Sequence, residues 1–246
     1  MHVFYVRDIN SEIITFDQTE SKHCIKVLRL KEGDEVYIVD GIGGLYKARL
    51  FDTHLKCCSA IVFEKYIGYG KRDYHLHIGI APTKNNERFE WFAEKATEIG
   101  VDEITPVHCT HSERKVVNTQ RVEKIITAAV KQSVRAYHPR INPIMNFSNF
   151  VLDNYAESKF IAHCGEGITE HLMNLYQPKK NVLILIGPEG DFTESEVSFA
   201  IKNGYAPVSL GNNRLRTETA GVVACHIINL INDSISAKHN FKKTPE

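Results

Sequence analysis

Apolar and polar positions alternate in short runs over the first part of the chain. Residues 4–6, 12–16, 35–39, 45–51 and 60–65 read as strands, broken by Gly33-Asp34 and by Gly41-Ile42-Gly43-Gly44. One helical turn interrupts them, with Ser21 as its expected cap and Ile25, Val27 and Leu28 on its apolar side. Many short strands in so small a segment predict a compact β-barrel. Over residues 66–73 the composition shifts to Gly, Tyr and charge, which places a domain boundary there and gives a small β-barrel domain over 1–70.

From residue 73 to 235 the rhythm changes to alternating strands and helices. Strands are expected at 75–81, 104–107, 160–163, 182–186 and 208–210. Between them, Phe89, Phe92, Ala93, Ala96 and Ile99 recur at helical spacing and Gly100 supplies the stop. A second helix over 118–135 carries Val122, Ile125, Ile126, Ala129 and Val130 on one stripe. Thr193 and Glu196 form a capping box for a helix closed by Gly204, and an apolar helix runs from 218 to 231. The unbroken run Val182–Ile186 is the signature of a parallel strand buried on both faces. The expected class is α/β, a parallel sheet wrapped by helices, followed by a loose basic tail over 236–246.

Composition narrows the choices. The 246 residues are 43% hydrophobic and 24% charged, with 30 Lys+Arg against 30 Asp+Glu, which disfavours disorder, collagen and coiled coil. The longest apolar run is five residues, far short of the ~20 needed to span a bilayer. Arg7 and Asp8 interrupt the start before a secretory h-region could form, so a cytoplasmic protein is expected. Six cysteines, at 24, 57, 58, 109, 164 and 225, contain no C-x-x-C pair and are expected as free thiols. On a strand, the side chains of His108-Cys109-Thr110-His111 would alternate between faces, so no metal is expected. Although the formal net charge is zero, residues 111–140 hold seven Lys/Arg against two Glu, a local +5 suited to phosphate.

Ligands of parallel α/β sheets bind beyond the carboxyl ends of the strands. Two unusual loops fall there. One is Ile186-Gly187-Pro188-Glu189-Gly190-Asp191-Phe192, whose glycines let backbone approach a ligand, although an ordinary turn would also account for it. The other runs from Leu210 and Gly211 through Asn212, Asn213, Arg214, Leu215, Arg216 and Thr217 to Glu218, and its donors beside a helix start favour an anionic or polar ligand. No P-loop motif is present, and Gly41–Gly44 lacks the following helix of a dinucleotide fingerprint.

Gly187-Pro188-Glu189-Gly190, followed by Leu210-Gly211-x-x-x-Leu215-Arg216-Thr217-Glu218-Thr219-Ala220, resembles the RsmE-type family of SPOUT methyltransferases. Upstream, Glu94-Lys95-Ala96-Thr97-Glu98-Ile99-Gly100-Val101, Ile104-Thr105-Pro106, Ser112-Glu113-Arg114 and Gln132-Ser133-x-Arg135-x-x-x-Pro139 are similar to it as well. His23-x-x-Lys26-Val27-Leu28-Arg29 fits the family's N-terminal domain. Two positions depart from the pattern: Lys131 stands where Glu is usual, and Asn212-Asn213 where Pro-Arg is usual, with Arg214 one place further on.

The resemblance implies an S-adenosylmethionine-dependent enzyme that methylates N3 of one uridine in small-subunit (16S) ribosomal RNA. Its fold would be a PUA-like β-barrel followed by a SPOUT domain with a C-terminal trefoil knot, active as a homodimer on ribosomal RNA or an assembled 30S subunit. The cofactor would lie against Ala162, His163, Ile186, Gly187, Glu189, Gly190, Leu210, Gly211, Asn213, Leu215, Arg216 and Thr217. Arg216 would stabilise the charge developing on uracil, and Glu218 would act as general base or, as the favoured reading, cap the helix or orient an arginine. Because N3 lies on the Watson–Crick edge, the base must be unpaired or flipped. Lys26, Arg29, Arg114, Lys115, Arg135 and Arg140 are the candidate RNA contacts. The alternatives are a SPOUT enzyme acting on transfer RNA or another position, and a non-catalytic RNA-binding assembly factor.

Overall fold

The computed structural model describes residues 1–153, 156–165 and 170–236. The chain forms two compact units: Met1–Lys71 with Ile126–His138, and Arg72–Ile125 with the chain from Pro139 on. The basic tail expected beyond residue 236 lies outside the described residues.

In the first unit β1 (Val3–Tyr5) and β2 (Ile13–Thr15) precede α1 (Gln18–Lys22). The carboxylate of Asp17 accepts from Glu20 N at 2.8 Å and caps this helix, and a π-helical turn over His23–Val27 follows. The cap is therefore Asp17 and not Ser21, which is buried inside the helix. Its hydroxyl donates to Phe16 O and accepts from Cys58 N. With β3 (Glu35–Val39), β4 (Gly44–Asp52) and β5 (Ser59–Ile67) the strands form one sheet, in the order β1-β3-β4-β5-β2. Only the β1–β3 pair is parallel, and no ladder among the described residues joins β1 to β2. Phe4, Phe16, Val36, Ile38, Ala48, Leu50 and Ala60 form its core, with the rings of Phe4 and Phe16 stacked at 4.6 Å.

Residues 126–138, read from sequence as part of the second domain, group with this first unit. Lys131 Nζ lies 2.6 Å from Glu20 Oε1, Gly43 N donates to Ala136 O, and His138 N donates to Gly41 O. Local periodicity cannot register such distant pairings.

The second unit contains β6 (Leu76–Ile80), α2 (Asn86–Ile99), β7 (Glu103–His108), the first seven residues of α3 (Thr119–Ser133), β8 (Arg140–Ile141), β9 (Met145–Asn146) and α4 (Phe147–Leu152). It continues through β10 (Ser158–Ala162), α5 (Leu172–Leu175), β11 (Val182–Ile186), α6 (Glu194–Lys202), β12 (Ala206–Val208) and α7 (Thr217–Ser236). The strands lie in the order β12-β10-β11-β6-β7-β8, with β9 on β7, and every pair is parallel. As the apolar run predicts, β11 is buried at all five positions. Gly100, at φ 136°, ends α2 where an L side chain would be strained. Thr193 and Glu196 form the expected capping box of α6. The last strand is Ala206–Val208, two residues before its expected place.

The position of α7 is fixed by close packing on α2, with further contacts to β6 and β11. A Cβ on Gly221 would stand 2.6 Å from the Phe92 ring, so glycine is what lets the two helices approach. Ala96, Ile78, Ile80, Ala224 and Ile228 are fully buried, and removing each isoleucine side chain from water contributes about 1.5–3 kcal/mol.

Candidate active site

The register sets the site. Ala162 of β10 is paired with Ile186 of β11 and with Val208 of β12, so three strands end side by side. The three loops that leave them wall a cavity of about 760 Å³. Ala162, His163, Ile186, Gly187, Glu189, Leu210, Gly211, Asn213, Leu215, Arg216 and Thr217 all line it, as the sequence groups them.

Hydrogen bonds brace these loops against one another. The hydroxyl of Thr217 donates to Gly187 O at 3.0 Å. Asp191 accepts from Phe192 N at 2.8 Å with one carboxylate oxygen and from Cys164 N at 2.9 Å with the other. Glu189 Oε1 accepts from Lys84 N at 3.1 Å, and Arg214 Nη2 lies 3.4 Å from Glu189 O. At the start of α6, the carboxylate of Glu196 accepts from Thr110 N and Oγ1 as well as from Thr193. Burial alone would raise the pKa of Glu196, but these hydrogen bonds outweigh it and hold the carboxyl below its ordinary value.

His163 Nδ1 accepts from Gly165 N at 3.1 Å, which leaves a neutral ring's proton on Nε2. Burial lowers its pKa, while the neighbouring charge of Asp191 pulls the other way. The guanidinium of Arg216 is exposed on the cavity wall and makes no hydrogen bond or ion pair among the described residues.

Two expected residues are placed elsewhere. Gly190 is not part of the lining; a Cβ there would stand 3.2 Å from His111 Cβ, and its carbonyl lies 3.1 Å from His111 Nδ1. Glu218 does not line the cavity either. It is buried at 6% exposure, with Oε1 3.8 Å from Nε of Arg88 and no partner for Oε2. Arg88 itself lines the cavity, and so do Cys164, Asp191 and Arg214. Arg88 comes from the first turn of α2, outside both glycine-rich loops, so only its charge could have marked it in the sequence.

The basic candidates divide between the units. In the first, Lys26 and Arg29 are exposed, Arg29 at φ 57°, and Arg135 is half-buried. In the second, Lys115 and Arg140 are exposed. Arg114 is half-buried and spends its donors on backbone, reaching Thr83 O at 3.2 Å and Lys84 O at 2.6 Å. That leaves it bracing the loop after β6. Among the described residues no group of three or more His, Cys, Asp or Glu could hold a metal ion, and no helix is long and apolar enough to cross a membrane. All six cysteines are free, with Cys24 and Cys58 buried in sulfur contact at 3.9 Å.

Comparison with known proteins agrees with this architecture. Residues 71–229 match the model of an RNA methyltransferase domain, and residues 16–59 match that of an RNA methyltransferase PUA domain. The chain is 32% identical over 230 residues to the ribosomal RNA small subunit methyltransferase E of Buchnera aphidicola subsp. Acyrthosiphon pisum, covering 90% of each protein. A probable rRNA-methyltransferase from Porphyromonas gingivalis superposes at a TM-score of 0.87 with 38% identity, over 96% of this chain and all of that one. The fold is also shared with a ribosomal RNA small subunit methyltransferase E from Neisseria gonorrhoeae solved with bound S-adenosyl methionine, at a TM-score of 0.84 and 24% identity over 94% and 98% of the two chains. With the methyltransferase model covering most of its length and a relative of this identity covering nearly all of it, the chain belongs to the RNA methyltransferase family, alongside the ribosomal RNA small subunit methyltransferase E proteins.

Proposed function

We propose that this chain transfers a methyl group from S-adenosylmethionine to N3 of a uridine in small-subunit ribosomal RNA. The observation that carries the reading is the cavity at the ends of β10, β11 and β12, enclosed by loops from a methyltransferase domain. Its volume suits a nucleoside-sized ligand. Ile186, Val208, Leu210 and Leu215 offer apolar wall, and Glu189, Asp191 and three arginines supply charges of both signs for a zwitterionic, cationic molecule. When bound, S-adenosylmethionine supplies an electrophilic methyl group for in-line displacement, so positioning accounts for much of the rate.

In this reading Ala162, His163, Ile186, Gly187, Glu189, Leu210, Gly211, Asn213, Leu215 and Thr217 hold the cofactor. Arg216, exposed on the wall and unengaged, stabilises the negative charge that uracil acquires as its imide proton passes to solvent water. The burial of Glu218 behind the wall favours an orienting role over that of a base. Lys26, Arg29, Lys115, Arg135 and Arg140 supply phosphate contacts that hold an unpaired or flipped nucleotide.

The finer architecture belongs to the same proposal. β11 lies between β10 and β6 while β12 follows outside β10, and α7 returns to pack on α2, an arrangement consistent with a threaded, trefoil-knotted C-terminus. Val222, Val223 and Ile231 stay half-exposed on α7 and Leu230 is exposed, which supports a homodimer through that helix. Action on an assembled 30S subunit in the cytoplasm completes the reading. Calorimetric titration of the purified chain with S-adenosylmethionine tests its first requirement. One saturable site per chain is expected, and absence of binding would overturn the reading in favour of a non-catalytic RNA-binding factor.

A further inference from the structure

Glu218 is a buried carboxylate with one oxygen lacking any hydrogen-bond partner among the described residues. Its other oxygen is 3.8 Å from Nε of Arg88, beyond hydrogen-bond reach. An orphaned buried acceptor is costly and calls for an explanation. Arg88 is half-exposed, lines the cavity, and its guanidinium has no closer partner among the described residues. The acids that line the same cavity are engaged with backbone: Glu189 accepts from Lys84 N, and Asp191 from Phe192 N and Cys164 N. The cavity thus presents planar cations from Arg88, Arg214 and Arg216 beside carboxylates that are already partly engaged.

We infer that Arg88, steered by Glu218, grips an oxyanion at the cavity rim, and that this oxyanion is a phosphate of the RNA beside the target nucleotide. The inference rests on the proposed methyltransferase function. A guanidinium is a rigid fork of five N–H donors, so it can give one edge to a carboxylate and another to an oxyanion. Closure of the fork would bring an N–H to the orphaned oxygen of Glu218, which makes Glu218 a positioning residue and Arg88 the contact. Arg88 projects from the helix after β6, not from the loops that follow β10, β11 and β12, and its side chain is half-exposed, so it is open to an arriving strand. The cofactor's own carboxylate shares the oxyanion chemistry, and the experiment separates the two.

The test compares the wild-type chain with Arg88→Ala, Arg88→Lys and Glu218→Gln. It measures affinity for unmodified small ribosomal subunits across a salt series, affinity for S-adenosylhomocysteine by calorimetry, kcat, and thermal melting. Arg88→Ala should weaken RNA binding about tenfold and flatten the salt dependence by about one phosphate contact, leaving S-adenosylhomocysteine affinity unchanged. Arg88→Lys, which keeps a cation beside Glu218 and so protects the fold, should retain the salt slope and lose at least about tenfold in kcat, because a point charge cannot serve both partners. Glu218→Gln should keep the salt slope and lose kcat to a smaller extent. A loss of S-adenosylhomocysteine affinity with an unchanged RNA salt slope would assign the oxyanion to the cofactor carboxylate and retain the grip by Arg88. Wild-type values for both ligands in Arg88→Ala, or wild-type kcat in Arg88→Lys, would overturn the inference and leave Arg88 as a counter-ion to Glu218. Failure of the wild-type chain itself to bind S-adenosylhomocysteine would refute the proposed function instead.

Discussion

The hydroxyl of Thr217 donates to the carbonyl of Gly187 at 3.0 Å, fastening the first residue of α7 to the residue that leaves β11. Two cavity loops thirty residues apart are thereby held in one geometry. Since Thr217 is nearly buried, at 5% exposure, Thr217→Val keeps the shape and deletes only the donor. We expect a loss of about 1 kcal/mol of stability and a several-fold weaker affinity for S-adenosylmethionine, read by thermal melting and calorimetry. Unchanged affinity would mean that the loops keep their geometry without this bond.

Arg216→Ala should reduce kcat by at least about a hundredfold, the scale of losing one charge-stabilising donor, while RNA affinity changes no more than about threefold. Steady-state kinetics and filter binding on the same preparation decide it. Equal losses in both would assign Arg216 to binding alone.

Lys131 stands where related sequences were expected to carry Glu, and the structure supplies its reason: Glu20 Oε1, 2.6 Å away and on a residue only 8% exposed. Lys131→Ala should cost about 2 kcal/mol or more, because it strands a largely buried carboxylate. The double variant Glu20→Gln with Lys131→Ala should recover much of that loss. A double-mutant cycle by chemical denaturation gives the coupling directly.

His77 predicts acid sensitivity. Burial, the largest influence, holds its pKa down to about 4, against the pull of Glu103, and one ring nitrogen lies 2.7 Å from Thr105 Oγ1. The folded state therefore refuses a proton that the unfolded chain accepts near pH 6.5. Stability tied to this residue is intact above about pH 6.5 and falls as the pH drops toward 4, by up to about 3 kcal/mol. In melts across that range, His77→Gln should show a shallower decline than the wild type. A parallel decline would mean that His77 does not contribute to it.

Most elements of the second unit were legible because their local patterns agree with their tertiary roles. The run Val182–Ile186 is apolar throughout because both sheet faces are covered, and Gly100 and the Thr193–Glu196 box mark helix ends through backbone chemistry that sequence states directly. β12 starts two residues before the expected 208–210 and takes in Pro207, which it can hold because it pairs only with β10 and an edge strand tolerates proline. Asp17 and Ser21 are both capping residue types, and sequence alone does not show that Ser21 is buried inside α1 while the Asp17 carboxylate reaches Glu20 N. The return of residues 126–138 to the first unit, and the facing of Arg88 by Glu218 from far along the chain, depend on pairings that no local period encodes. The cavity loops were found through their glycines and arginines. Gly190 stands in the same turn but outside the cavity lining, beside His111, because a glycine-rich motif does not reveal which of its glycines meets a cavity.

Purified chain and labelled S-adenosylmethionine are incubated with small ribosomal subunits that lack the modification, and the RNA is digested to nucleosides. Label is expected in 3-methyluridine at a single site. Label in a different nucleoside, or none at all from a preparation that binds the cofactor, would contradict it.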